Sequence, residues 1–196
     1  MKEYIRIIVF VTILGTLTSA LLVGMDLLTA ERIKALAAFQ VQSTVLNAYG
    51  ITNFSTENVN QVFDENIETI EINDLVFFVD NSSGAVSFEF VGNGVWGPIE
   101  GVLTLESDFT TIRSIAILQQ EETPGLGGVI EEPAYLAKYE GAQIAPSIRI
   151  LRNANPDDPN EVDAITGGTR TSERFEIILN EAYSVHRAAW DERMRD

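Results

Sequence analysis

The chain contains no cysteine and a single histidine, His186. The missing thiols exclude disulfides, thiolate-bound iron–sulfur clusters and lipidation of a cysteine in one step. One imidazole leaves little for zinc, which favours His and Cys ligands, so no metal site is expected. His186 falls in a stretch of helical periodicity and reads as a packing or surface residue. Basic residues are also scarce: residues 35–112 hold no Lys or Arg against eleven Asp or Glu. With a net charge of −16, the chain is a poor partner for nucleic acid or an anionic membrane face. A phosphate-bearing ligand is to be sought in the C-terminal half, where Arg113 and the later basic residues lie. A solvated acidic surface accounts for the same asymmetry equally well. Redox chemistry would have to sit on an organic cofactor. Without a Cys, a His or a paired acid and base to act as catalysts, no independent active site is expected.

What is present first is a run of 19 uncharged residues, 7–25. As a helix it rises roughly 28 Å, close to the thickness of a hydrocarbon core. Lys2 and Arg6 precede it and Asp26 follows, so the positive-inside rule places residues 1–6 in the cytoplasm and everything after Met25 outside. A cleaved signal peptide with Thr18-Ser19-Ala20 as its cleavage site is the competing reading. The run exceeds the usual signal length, which favours a retained single-pass anchor in the cell membrane, the inner one where there are two. Gly15 with Ser19, and Thr12 with Thr16, are small-residue pairs that admit a neighbouring helix.

Beyond the anchor, residues 26–50 read as a helical stalk and 51–196 as one extracytoplasmic domain. Ser55 has the chemistry of an N-cap for a short helix through Phe63. The period then falls to two. Strands are expected at 75–79 and 85–91, joined by the turn-forming DNSSG at 80–84, and again at 99–105, 111–118 and 147–151. Pro133 opens a short helix to Tyr139, and 153–160 is a loop. Residues 171–194 read as a long helix burying Phe175, Ile178, Leu179, Ala182, Val185 and Ala189. The fold class is α+β: an antiparallel sheet covered by helices, on a single N-terminal transmembrane helix.

Three glycine-rich segments stand out. GNGVWG at 92–97 has the spacing of a dinucleotide fingerprint but continues as strand, so it reads as a turn seating Trp96 at the sheet edge. ETPGLGG at 122–128 lets backbone lie close to a flat ligand, and it also reads as an ordinary surface turn. DAITGGTRTS at 163–172 leads into the last helix, where free N–H groups attract phosphate oxygens and Arg170 and Arg174 add charge. A plain N-cap by Thr171 or Ser172 uses the same residues.

Together these segments resemble the FMN-binding subunits of two related ion pumps, the G subunit of Rnf complexes and the C subunit of the sodium-pumping NADH:quinone reductase, Nqr. The flavinylation motif of that family, D-x-x-[ST]-G-A-T, is matched by Asp163, Thr166, Gly167 and Thr169, with Gly168 in place of the usual alanine. The resemblance implies a covalent FMN joined through its phosphate to Thr169 by a flavin transferase. It further implies Thr123, Gly125, Leu126 and Gly127 against the flavin ring, and Thr166, Gly167 and Thr171 at the phosphate and ribityl end. The implied role is electron transfer in a membrane-bound translocase, beside other membrane subunits of the complex. The compact length favours the Rnf type, which couples ferredoxin:NAD oxidoreduction to Na+ or H+ translocation. The stretches 119–121 and 132–134 look more like Nqr C. The alternatives are Nqr C itself or a flavin-free, membrane-anchored assembly module.

Overall fold

In the computed structural model, residues 2–193 are described. The chain divides into two compact units, one up to Gln40 and one from Val41 onward. Helix α1 runs Lys2–Ala48 and is long and apolar enough to cross a membrane. Its hydroxyls at Thr12, Thr18 and Thr29 bond back to carbonyls one turn earlier, which is how an apolar helix accommodates them.

The second unit is built on five strands in the order β1-β2-β3-β4-β5, every neighbouring pair antiparallel. They are β1 (Ile67–Ile72), β2 (Leu75–Asp80), β3 (Val86–Asn93), β4 (Pro98–Leu105) and β5 (Ile112–Gln119). This is the expected α+β class. The strand β1 is not among the expected ones, because IETIEI is buried only at Ile67 and pairs at the sheet edge. The 80–84 turn is held by Asp80, whose carboxylate accepts from Ser82 and Ser83.

Helix α4 (Thr169–Arg193) covers one face. Phe90 meets Phe175, and Phe88 stacks on His186 with ring centroids 4.0 Å apart. His186 is therefore a packing residue, its Nδ1 2.7 Å from the Ala182 carbonyl. The other face receives the last turn of α1, where Val45 and Leu46 are fully buried. There the Tyr49 hydroxyl donates to the Phe78 carbonyl and accepts from Ser87.

Four expectations shift. Ser55 does not cap the short helix α2, which runs Val59–Asn66 after Asn58. Its N–H and hydroxyl instead donate to Asn58 Oδ1, closing a preceding turn. Helix α4 begins two residues earlier than expected, at Thr169, so neither Thr171 nor Ser172 occupies the cap position; Met194 lies outside the described residues. Val185 is 55% exposed while Tyr183 and His186 are buried, because the aromatic side chains take the sheet-facing stripe. Finally, the strand expected at 147–151 forms over Arg149–Leu151 as β6 and pairs in parallel with β7 (Glu161–Asp163), a short strand without periodic signal, in a second small sheet. As expected, Pro133 starts a short helix, α3 (Pro133–Leu136), continued by a 3-10 turn to Tyr139.

Candidate functional site

The three glycine-rich segments converge. The tight turn between β3 and β4 is closed by the Gly94 N–H on the Gly97 carbonyl, and it points the N–H groups of Val95 and Trp96 the same way. Both donate to Glu122 Oε1, at 2.7 and 3.2 Å. The other oxygen, Oε2, accepts from the Thr171 hydroxyl at 2.6 Å. Glu122 and Thr171 are each 4% exposed. One buried carboxylate thus ties the β3–β4 turn, the 122–128 loop and the first turn of α4 together with three hydrogen bonds.

Glycine is required where these segments touch. A Cβ on Gly127 would run into Thr171 Oγ1 and the Glu122 side chain, and one on Gly94 would lie 2.5 Å from Glu122 Oε1. The 122–128 loop folds on itself, Leu126 and Gly128 both donating to the Thr123 carbonyl. Before α4, Gly167 adopts a φ of +83°. Ser172 closes the turn from within the helix, donating to the Gly168 carbonyl and accepting from the Ile165 N–H. Helix geometry leaves the N–H groups of Thr169, Arg170 and Thr171 without acceptors inside α4.

The resulting cleft, about 300 Å³, is lined by Trp96, Thr123, Leu126, Gly127, Gly167 and Thr169, with Arg170 at its edge. Trp96 is 71% exposed and Leu126 is also open, so the cleft has an apolar rim. Of the residues singled out in the sequence, Thr123, Leu126, Gly127, Gly167, Thr169 and Thr171 share this cleft. Gly125 sits in the supporting loop with a φ of +73°. Thr166 faces a neighbouring cleft of about 480 Å³ with Lys138 and Arg152, and Thr169 borders both. Arg174 lines neither. The Thr171 hydroxyl is committed to Glu122, leaving its main-chain N–H as the group it can offer an anion.

Glu122 is the residue that sequence reasoning missed as a functional group. Nothing in a chain with 29 acidic residues marks one of them as buried. Nearby, the Tyr135 and Tyr139 hydroxyls lie 2.9 Å apart, and burial pushes both phenols up, so neither is a base near neutral pH. The cleft can cradle an anion and a flat apolar group and offers an exposed threonine hydroxyl, with no nucleophile–base pair of its own.

Residues 94–184 match the FMN-binding domain family. The C subunit of the Na(+)-translocating NADH-quinone reductase of Pasteurella multocida is 32% identical over 105 residues, which is 50% of this chain and 40% of that protein. The Neisseria meningitidis C subunit is 32% identical over 98 residues, 47% of this chain and 38% of its own length. The chain therefore spans less than half of these relatives. Among solved structures, NqrC of Shewanella oneidensis superimposes with a TM-score of 0.64 at 18% identity, over 74% of this chain and 90% of that one. The Parabacteroides distasonis counterpart gives 0.64 at 23% identity, over 76% and 89%. At such identities these superpositions establish the fold. The chain is thus similar to the FMN-binding domain family over residues 94–184 and to Nqr C subunits over about half its length.

Proposed function

We propose that Thr169 carries FMN as a phosphoester and that the chain is an electron-transfer subunit of a membrane-bound complex of the Nqr C/Rnf G type. The observation that carries this is the position of Thr169: exposed, first in α4, and on the border of the cleft formed by all three glycine-rich segments.

The residues present fit the group. Main-chain N–H groups of Thr169, Arg170 and Thr171 and the Arg170 charge suit a phosphate at the helix start. Trp96 and Leu126 offer apolar surface to a ring system, while Thr123 supplies a polar group beside it. Thr166 and the cleft behind it leave room for the ribityl chain. Glu122 holds no ligand in this reading; it fixes the three walls relative to one another. Bound FMN would supply one- and two-electron redox chemistry, and the protein would supply position and electrostatics. A flavin transferase would form the phosphoester during maturation.

The N-terminal charges Lys2 and Arg6 favour a cytoplasmic N-terminus and an outer flavin domain. Electrons would then reach Thr169 through partner subunits, and ion transport would reside in them as well, because the run 7–25 has no charged residue. The relatives named above are Nqr C subunits, which favours Nqr C, while the motif resemblance admits the Rnf type as well. Purifying the intact complex and identifying its subunits separates the two: an NADH:quinone set supports the first and a ferredoxin:NAD set the second.

The flavin claim is tested by co-expressing the full chain with a flavin transferase and imaging flavin fluorescence after denaturing electrophoresis. A fluorescent band that is lost in Thr169→Ala supports the proposal. A dark wild-type band favours the flavin-free assembly module.

A further inference from the structure

The five-stranded sheet is incomplete between its second and third strands. Strands β1 and β2 pair over six positions and β3 and β4 over eight, but β2 and β3 pair only at Phe78–Ser87 and Val79–Val86. Continuing that register would match Val76 with Glu89, and it does not. The Gly94–Gly97 hydrogen bond sets the phase of the β3–β4 ladder, so even-numbered residues of β3 bond β4 and odd-numbered ones face β2. Likewise the Asn81 N–H on the Asn66 carbonyl assigns the odd residues of β2 to β1. The main-chain groups of Val76, Glu89 and Val91 therefore point into a gap where, among the described residues, no strand meets them.

That gap opens on a groove of about 510 Å³ bounded by the two strands and by Glu181 and Val185 of α4. Its rim is apolar at Val76, Val91 and Val185, with Val91 69% exposed. Every charged residue lining it is acidic: Asp74, Glu89 and Glu181. Burial, together with the Glu100 carboxylate, pushes the Glu89 carboxyl up, as expected for a site short of positive charge.

We propose that the free edge of β3 is a docking site for an extended segment of a partner protein in which apolar residues alternate with Lys or Arg. The segment adds to β3 as a strand. Its main chain meets the N–H and C=O groups of Glu89 and Val91, its apolar residues cover Val76 and Val91 on the face away from α4, and its cations meet Glu181 on the α4 face. A second copy of this chain is a poor occupant, since its net charge is −16 and residues 35–112 contain no cation. This site is separate from the Thr169 cleft and does not depend on flavin.

The test uses the full chain in detergent, titrated with a dye-labelled peptide of alternating valine and lysine and followed by fluorescence anisotropy. A valine–glutamate peptide is the control. The lysine peptide is expected to bind and the glutamate peptide not to. Glu181→Lys is expected to weaken binding by about tenfold or more, at unchanged circular dichroism. Amide hydrogen exchange at Glu89 and Val91 is expected to slow when the lysine peptide is bound. Val91→Pro, which removes an N–H that β4 does not use, is expected to weaken binding too. Binding that leaves those two amides exchanging freely, binding indifferent to the charge reversal, or no binding would each overturn the proposal. So would a dimer, seen by sedimentation, that protects the same amides and is displaced by the peptide.

Discussion

The Thr171 hydroxyl donates to the Glu122 carboxylate at 2.6 Å, across 49 residues of chain. That contact, with the Val95 and Trp96 N–H groups on the other oxygen, makes Glu122 the joint at which the cleft is assembled. It also puts a negative charge on the cleft lining, close to any ligand held there.

Removing that joint should loosen all three walls. Glu122→Ala strands two N–H groups and a hydroxyl in a buried place, at a cost of about 3 kcal/mol. Glu122→Gln can keep all three contacts, with Thr171 becoming the acceptor, and should cost less than about 1.5 kcal/mol. Urea unfolding of both variants checks the difference. If FMN occupies the cleft, Glu122→Gln should also raise its midpoint potential, because a charge that disfavours the reduced anion is gone. A redox titration reads that shift.

Two of the three glycines of the 122–128 loop, Gly125 and Gly127, should fail for different reasons. Gly125→Ala meets no neighbouring atom but forces a side chain into a φ of +73°, for about 1 kcal/mol. Gly127→Ala drives a methyl between Thr171 and Glu122 and should cost more, about 2 kcal/mol. Only the second should change the cleft, which ligand binding or flavinylation efficiency would report.

Gly168 stands where the family motif has alanine, and Ile165 accounts for it. A Cβ on Gly168 would lie 2.8 Å from Ile165 Cγ2 and 3.1 Å from its Cβ. Gly168→Ala is therefore expected to destabilise by about 1 kcal/mol. Ile165→Leu moves the branch away from Cβ, so the double variant should recover part of that loss. A double-mutant cycle in urea that shows no coupling would contradict this.

The pH dependence of stability should carry a His186 signature. Burial pushes its imidazole down from 6.5, against the opposing hydrogen bond to the Ala182 carbonyl. The unfolded chain thus takes up the proton first, and the contribution is full above pH 6.5 and lost as pH falls through the folded value. Asp108 acts lower: burial raises it, but hydrogen bonds from Thr111 and Thr110 outweigh this and hold it at about 2, so its contribution is full above 3.8 and fades toward pH 2. His186→Phe should abolish the upper loss and leave the lower one. Unfolding midpoints measured from about pH 8 down to about pH 2 separate the two windows.

Much of this architecture was legible in the sequence because it rests on local signals. The apolar run announced α1, the period of two announced β2 to β5, and the glycine segments named the loops that meet at the cleft. What could not be read depends on contacts distant in sequence. Strand β1 has a weak alternation that only its pairing with β2 turns into structure. The early start of α4 follows from Ser172 closing the turn over Gly168, not from its capping chemistry. Glu122 looks like any other surface acid until the β3–β4 turn and α4 fold onto it.

The central claim rests on Thr169, and intact-mass spectrometry of the full chain co-expressed with a flavin transferase tests it most directly. The expected mass exceeds that of the polypeptide by one FMN less one water, fragmentation places the addition on Thr169, and Thr169→Ala returns the bare mass. An unmodified wild-type chain, or the same added mass persisting in Thr169→Ala, would contradict it.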